Sequence, residues 1–225
     1  MHGYHSDGNI FYRQKPFFTR FYDCRFLDLK GFGKNVPMLK PYTLDDYVDD
    51  LFTYLADNGI INPIIIAHSF GARVVVRAIE RGLKVNKLVL TGSAGLKSRF
   101  NLKRYIKKTF FKVFKKFIPD DVKQKFYSPD YLKCDPVMRV SFKYIVNYDL
   151  FSAYKSVNSE TLIIFGTLDR ETPSYMAKKQ FKLIKNSRLC FIKGTGHFCF
   201  IDRADAFNQT VFAFLIGKLN KYSKI

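Results

Sequence analysis

A serine, a histidine and an aspartate stand where a nucleophile, its base and an orienting acid could meet. Ser69 lies in the stretch Ala-His-Ser-Phe-Gly, directly after the apolar run 64–66. A serine becomes a nucleophile when a neighbouring base takes its proton, and a third group orients that base. His197 is the candidate base and Asp169 the candidate acid. Together they predict nucleophilic acyl transfer.

The serine has the strand–turn–helix context of a nucleophile elbow. This turn is sharp, so the residues two before and two after the serine must be small. Ala67 and Gly71 meet that requirement, although the common pattern has glycine at both places. The following helix would point its N-terminal amides at the site, which suits developing negative charge. The competing interpretation is a serine that only caps this helix.

The base must be one of four histidines, His2, His5, His68 and His197. His68 adjoins the serine, and we expect it to point elsewhere on the elbow. His197 lies in the stretch Gly-Thr-Gly-His-Phe, a flexible loop directly after a predicted strand. The alternative for His197 is a capping or surface histidine.

The acid candidate Asp169 also follows a predicted strand, which places it at the edge where α/β sheets build their sites. Glu171 is its local rival. The loop 91–95 after the preceding strand contains no carboxylate, and Asp202 comes after the histidine in the chain.

The elements that position these residues alternate short apolar runs with longer amphipathic ones, which is typical of a parallel sheet covered by helices. The pattern predicts strands over 25–29, 64–66, 87–90, 161–165 and 188–192. It predicts helices from Thr43 to Asp57, over 71–81, from about Pro173 and over 204–219. Residues 96–159 break the rhythm with helical periodicity and predict a helical insertion over one end of the sheet.

Composition describes one globular domain. The chain has 225 residues, 47% of them hydrophobic and 25% charged, which excludes disordered, collagenous and disulfide-stapled classes. No apolar run approaches the ~20 residues of a membrane-spanning helix, and no secretory signal pattern is visible. The four cysteines show no metal-binding spacing, so we expect them reduced and buried in a cytoplasmic protein.

The net charge is 38 minus 19, or +19, and residues 97–125 carry eleven lysines and arginines against Asp120 and Asp121. One interpretation is contact between this basic insertion and anionic membranes. The other is a solvated face combined with the codon bias of an A+T-rich genome. No nucleic-acid-binding signature accompanies the charge, so we expect no nucleic-acid partner.

The chain resembles the α/β-hydrolase family, in particular its small lidded bacterial members. The order Ser69, Asp169, His197 is the order that this family uses, and the insertion sits where the family carries its lid. The resemblance implies an α/β-hydrolase fold, with a mostly parallel sheet, helices on both faces and a helical lid. Residues 1–95 and 160–225 would form the core, and residues 96–159 the lid.

The resemblance also implies a mechanism without metal or cofactor. Ser69 would attack an acyl carbon, with His197 as base and Asp169 as orienting acid. His2 and Gly3 resemble the family's oxyanion loop, which would place the backbone N–H of Tyr4 beside that of Phe70. We expect a small, apolar ester or acyl substrate, with amide, thioester or carbon–carbon cleavage open to the same triad. A non-catalytic hydrolase-like chain is the alternative.

In that family the His-Gly dipeptide ends a central strand, and here it follows Met1 directly. We therefore expect the core to be incomplete at its N-terminus, with a gap between the strand ending near Leu29 and the strand ending near Ile66. A start codon assigned too late, a truncated gene and a neighbouring strand that closes the gap are three explanations.

Overall fold

The computed structural model describes residues 1–97 and 129–225, and the side chains from residue 131 onward in the second range. Its centre is a five-stranded parallel sheet in the order β1-β2-β3-β4-β5. The strands are β1 (Ile64–His68), β2 (Lys87–Thr91), β3 (Glu160–Gly166), β4 (Ser187–Ile192) and β5 (Tyr222–Lys224).

The helices of the described residues alternate with these strands. They are α1 (Lys15–Phe18), α2 (Leu44–Asp57), α3 (Phe70–Glu80), α4 (Pro129–Lys133), α5 (Pro136–Asn147), α6 (Phe151–Ser156), α7 (Ser174–Leu183), α8 (Cys199–Asp202) and α9 (Ala204–Leu215). None of the described helices is long and apolar enough to cross a membrane.

Both faces of the sheet are covered, as the sequence predicted. In β2, Leu88 and Leu90 belong to the apolar cluster that contains the buried residues of α2 and α3. Val89 belongs to the opposite cluster, with Phe207 and Phe214 of α9. This alternation is expected for a strand whose successive side chains enter two apolar layers.

The predicted helices begin close to the expected residues, and all but the last also end there; the last, predicted over 204–219, ends at Leu215. The helix after Thr43 ends at Asp57, and Thr43 forms a capping box with Asp46. Two backbone N–H groups at the start of this helix are thereby satisfied. Pro173 is the N-cap of α7.

One strand prediction was wrong, and one strand was missed. Residues 25–29 form no strand; they lie beside the outer edge of β1 without joining the sheet. β1 is the last strand on that side of the described sheet, and a cavity of about 510 Å³ separates its outer edge from residues 25–27, so the two segments do not pair. Sequence reasoning also missed β5, because only three residues, Tyr222–Lys224, extend the far edge.

The described cysteines are all free thiols, as expected, but the prediction that all four are buried was wrong for Cys24. Its thiol is half-buried, beside the irregular segment 25–29, whereas Cys134, Cys190 and Cys199 are buried.

The part of the insertion that the structure describes, residues 96–97 and 129–159, contains the helices α4, α5 and α6. Arg73 on α3 donates hydrogen bonds to the carbonyls of Ile145 and Tyr148, which attaches the end of α5 to the core. Most of the basic stretch 97–125, and the apolar stripe predicted within it, lie outside the described residues.

Candidate active site

Ser69 occupies the turn between β1 and α3, with φ +49° and ψ −106°. Such a backbone conformation is strained for a residue with a side chain, and strain of this kind is concentrated at functional sites. The space around the turn explains the small neighbour at position 71. A Cβ on Gly71 would lie 2.7 Å from the carbonyl oxygen of His2 and 2.8 Å from that of Met1.

His197 and Asp169 form a buried pair at the same edge of the sheet. The Nδ1–H of His197 donates to Oδ2 of Asp169 over 2.8 Å, and the two side chains are 5% and 0% exposed. This tautomer leaves the Nε2 lone pair free to accept a proton. The loops after β3 and β4 therefore bring together the predicted acid and the predicted base.

The carboxylate of Asp169 is held by its own loop. Its Oδ1 accepts the backbone N–H groups of Glu171 and Thr172, at 2.9 and 2.8 Å. Its Oδ2 accepts the Thr172 hydroxyl at 2.8 Å as well as His197. These hydrogen bonds fix the position of the carboxylate, and Thr172 supplies two of them. The sequence suggested no role for this threonine.

The other ring nitrogen of His197 faces Glu171. Oε2 of Glu171 lies 3.4 Å from Nε2, and the Glu171 side chain is 61% exposed. Within the described residues, the hydroxyl of Ser69 makes no hydrogen bond. Catalytic hydrogen bonds are often long in structures without a ligand. Glu171, the predicted rival acid, thus contacts the nitrogen that a catalytic serine would use, and Asp169 contacts the orienting nitrogen.

His68 is buried against His197, a contact that sequence reasoning missed. Its Nε2–H donates to the His197 carbonyl over 3.3 Å, and the two ring centroids are 4.7 Å apart. Burial holds the pKa of His68 well below its ordinary value, so the ring is neutral. His68 directly follows the apolar run 64–67 in the sequence, and this position indicated that its side chain would be buried. A neutral, fixed ring at this place supports the loop that carries the base.

His2 anchors the loop that precedes the elbow. Its carbonyl accepts the N–H of Gly71 at 3.0 Å, and its Nε2 accepts the N–H of Leu29 at 2.9 Å. The Nδ1–H donates to the carbonyl of Gly3. Burial lowers the pKa of His2 from 6.5 to about 4, which keeps the ring neutral and able to accept at Nε2.

Gly3 and Tyr4 lie over the elbow. A Cβ on Gly3 would lie 2.8 Å from Nδ1 of His68 and 3.3 Å from Cβ of Ser69, so a side chain there would collide with the turn. The Tyr4 ring packs on the Phe70 ring at 5.3 Å between centroids. Neither the N–H of Tyr4 nor that of Phe70 donates to another described residue.

Comparison with known proteins identifies the family. A model of the alpha/beta hydrolase family matches residues 1–210 of this chain. The chain belongs to the alpha/beta hydrolase family. This alpha/beta hydrolase is 23% identical to the AB hydrolase superfamily protein YisY of Bacillus subtilis, over 95% of this chain and 89% of that protein.

Solved structures agree on the fold. The alpha/beta hydrolase resembles the esterase EaEST from Exiguobacterium antarcticum with a TM-score of 0.76 and 20% identity, over 96% of this chain and 90% of that one. It resembles the meta-cleavage product hydrolase CumD from Pseudomonas fluorescens IP01 with a TM-score of 0.71 and 20% identity, over 96% and 89% of the two chains. At this level of identity the likeness establishes the fold only.

In the parts of this alpha/beta hydrolase that the structure describes, no group of three His, Cys, Asp or Glu side chains is arranged to hold a metal ion.

Proposed function

We propose that this alpha/beta hydrolase is a serine hydrolase that cleaves carboxylic esters through Ser69, His197 and Asp169. One observation carries the proposal: the buried His197–Asp169 pair, joined over 2.8 Å, stands at the sheet edge where the strained turn presents Ser69. The pair is a base with its orienting acid, and the strained serine is a nucleophile in a position to use it.

In the proposed reaction, Oγ of Ser69 attacks the acyl carbon while Nε2 of His197 takes the hydroxyl proton. Asp169 stabilises the imidazolium that forms and keeps its orientation. His197 then gives the proton to the leaving alcohol, which departs and leaves an acyl-serine. Water attacks the acyl-serine with His197 again as base, which releases the acid and restores the serine.

The oxyanion would be received by the backbone N–H groups of Phe70 and Tyr4. Phe70 begins α3, so its amide lies at the positive end of the helix dipole. Tyr4 is held over the turn by the His2 anchor and by its own ring contacts. Its hydroxyl donates to the Met138 carbonyl on α5 at 3.3 Å. Preorganised donors of this kind contribute a large share of the rate enhancement in acyl transfer.

The surroundings of the elbow favour an apolar acyl group. The rings of Phe32, Phe70 and Phe142 all contact the Tyr4 ring, with centroids 4.8 to 5.3 Å away. An apolar acyl group placed against these rings would bury its surface on them, and a few polar groups would set its orientation. We place the enzyme in the cytoplasm, because its cysteines are free thiols.

A second candidate is a hydrolase-like chain without catalytic activity. It is favoured by the unbonded Ser69 hydroxyl and by Glu171 at 3.4 Å from Nε2 of His197. Thioester or carbon–carbon cleavage would use the same triad as ester cleavage, so the bond that is broken must be found with substrates.

A fluorophosphonate probe tests the proposal, because it labels only an activated serine. We expect the chain to be labelled, and expect Ser69→Ala and His197→Ala to abolish labelling and ester turnover. Ser152→Ala removes an exposed hydroxyl and is the matched control, which should label fully. Full labelling of Ser69→Ala, or none of the unaltered folded chain, would overturn the proposal. A panel of esters of increasing acyl length then defines the substrate class.

A further inference from the structure

Glu171 is a carboxylate without a neutralising cation at the edge of the candidate site. Its Oε2 lies 3.4 Å from Nε2 of His197, and 61% of its side chain is exposed. Among the side chains that the structure describes, no lysine or arginine forms an ion pair with Glu171, although Arg170 is its neighbour in the chain. The chain has 38 lysines and arginines against 19 acidic residues. An unpaired acid beside the base is therefore a specific feature of this site.

The loop that carries Glu171 is fixed by its backbone. The N–H of Glu171 donates to Oδ1 of Asp169 at 2.9 Å, and the N–H of Thr172 donates to the same oxygen at 2.8 Å. Pro173 follows as the N-cap of α7. None of these contacts uses the Glu171 side chain, so a substitution at this position should leave Asp169 in place.

Glu171 lies on the leaving-group side of the proposed reaction. Nε2 of His197 gives its proton to the leaving oxygen, which must approach that nitrogen to roughly 2.9 Å. Oε2 of Glu171 is 3.4 Å from the same nitrogen. The two distances together keep the leaving oxygen within about 6 Å of the carboxylate. A group carried two carbons beyond the leaving oxygen can therefore reach Glu171.

The charges of the site favour a positive group at that position. The charge of Asp169 is balanced by the imidazolium that forms on His197, whereas Glu171 is a second negative charge without such a partner. Attack on the acyl carbon adds a further negative charge on the oxyanion. Like charges repel, and more strongly once a substrate has excluded water. A cationic leaving group would neutralise Glu171, whereas a neutral one would leave its charge to oppose the oxyanion.

The two ends of a bound ester would meet different surroundings. An ionised carboxylate only accepts hydrogen bonds, so Glu171 selects donors and cations. The rings of Phe32, Phe70 and Phe142 around Tyr4 instead favour an apolar acyl group. The described part of the site thus fits a substrate with an apolar acid and a positively charged alcohol.

We propose that Glu171 forms a subsite for a cationic leaving group, so that the substrates are esters of alcohols with a positive charge about two carbons from the ester oxygen. This inference rests on the proposed function, because it assigns the leaving-group side of the same reaction. Hydrolysis consumes one water and releases the carboxylic acid and the cationic alcohol. Asp169 remains the orienting acid, and Glu171 contacts the substrate.

The test compares two esters of one carboxylic acid. One is the choline ester, and the other is its uncharged analogue, in which carbon replaces the charged nitrogen. The two have the same shape, but the cation also makes the first ester more reactive, so the measure is the change in their kcat/KM ratio on substitution. In Glu171→Gln we expect kcat/KM to fall by about fivefold for the choline ester, as an ion pair is lost. It should rise by up to about twofold for the neutral ester, as a repulsive charge is removed.

Three controls separate the subsite from a general effect of charge. Glu171→Asp keeps the charge on a shorter side chain and should retain part of the preference. Asp57→Asn removes an exposed carboxylate at the end of α2 and should change neither ester. Added salt should reduce the preference of the parent chain, because it screens an exposed pair. A preference that Glu171→Asp loses and Asp57→Asn also loses would overturn the subsite.

Probe labelling gives a second measurement that needs no turnover. Choline should slow fluorophosphonate labelling of Ser69 in the parent chain and have no effect in Glu171→Gln, whereas the uncharged alcohol should act equally on both. Equal changes for the two esters in Glu171→Gln, in a chain whose Ser69 is labelled, would overturn the subsite and leave the proposed function intact. A folded parent chain that is not labelled and cleaves neither ester would overturn both.

Discussion

Glu171 places Oε2 3.4 Å from Nε2 of His197, on the ring nitrogen opposite the one that Asp169 holds. The two carboxylates are two residues apart in one loop, but their surroundings differ. The Asp169 side chain is fully buried, and that of Glu171 is 61% exposed. An exposed carboxylate is screened by water and interacts weakly, so only Asp169 can hold the ring in a fixed orientation.

This difference predicts unequal effects of neutralising the two acids. Asp169→Asn should lower ester turnover by about 10⁴-fold, because the amide leaves His197 without its orienting charge and favours the wrong tautomer. Glu171→Gln should change kcat/KM by less than about tenfold, because an exposed side chain contributes little. Steady-state kinetics with one ester measures both. The opposite ranking would assign the role of the acid to Glu171.

Thr172 should act through Asp169. Thr172→Val removes the hydroxyl that donates to Oδ2 at 2.8 Å, and we expect kcat to fall by about tenfold with KM nearly unchanged. Thr172→Ser keeps the hydroxyl and should restore most of the rate. A valine variant with the parent kcat, or a serine variant as slow as valine, would contradict this role.

The elbow should not tolerate a side chain at position 71. Gly71→Ala would place Cβ within 2.8 Å of two backbone carbonyls, so the loop of Met1 and His2 must move. We expect a loss of about 1–3 kcal/mol in the free energy of unfolding, measured with urea, together with weaker probe labelling. Gly196→Ala is the control, because no atom of the described residues, apart from its own chain neighbours, lies within 4 Å of an added Cβ. Equal stability of the two variants would contradict the crowding argument.

His2 should make the fold sensitive to mild acid. Its pKa is 6.5 in its ordinary environment and about 4 in the folded chain. The unfolded chain therefore binds a proton first as the pH falls, and stability is lost between about pH 6.5 and pH 4. The loss from this group is about 3 kcal/mol.

The measurement is urea unfolding across that pH range for the parent chain and for His2→Gln. The glutamine amide reaches the position of Nε2 and offers an acceptor for the Leu29 N–H but does not titrate, so its profile should be flatter. Profiles of equal slope would show that another group is responsible.

Patterns of apolar residues predicted the elements that are buried on two faces. Strands such as β3 are continuous apolar runs in the sequence, because both of their faces pack against the core. The start of α2 could be predicted because its capping box is visible in the sequence. Residues 25–29 have the same local pattern but no pairing partner. Strand formation also requires an adjacent strand, and the local sequence of a segment does not show whether one is present.

The candidate site could likewise be predicted only in part. The order of Ser69, Asp169 and His197 and their places after strands could be predicted, because each loop leaves the same edge of the sheet. The contacts of His68 and Thr172 could not, since they depend on how three separate loops approach one another. Asp169 and Glu171 are only two residues apart, so the sequence could not determine which of them contacts Nδ1 of His197. That contact depends on side-chain geometry.

The turn at Ser69 has a consequence for how this chain could be altered. The mirror image of φ +49° and ψ −106° lies at the border of the broad extended region, so glycine adopts the conformation with less strain than serine. Ser69→Gly should therefore unfold at a higher urea concentration than the parent, with a gain of about 1 kcal/mol, while it loses its nucleophile. Stability and function are thus opposed at this backbone position, and selection for thermal tolerance alone would favour loss of the hydroxyl there.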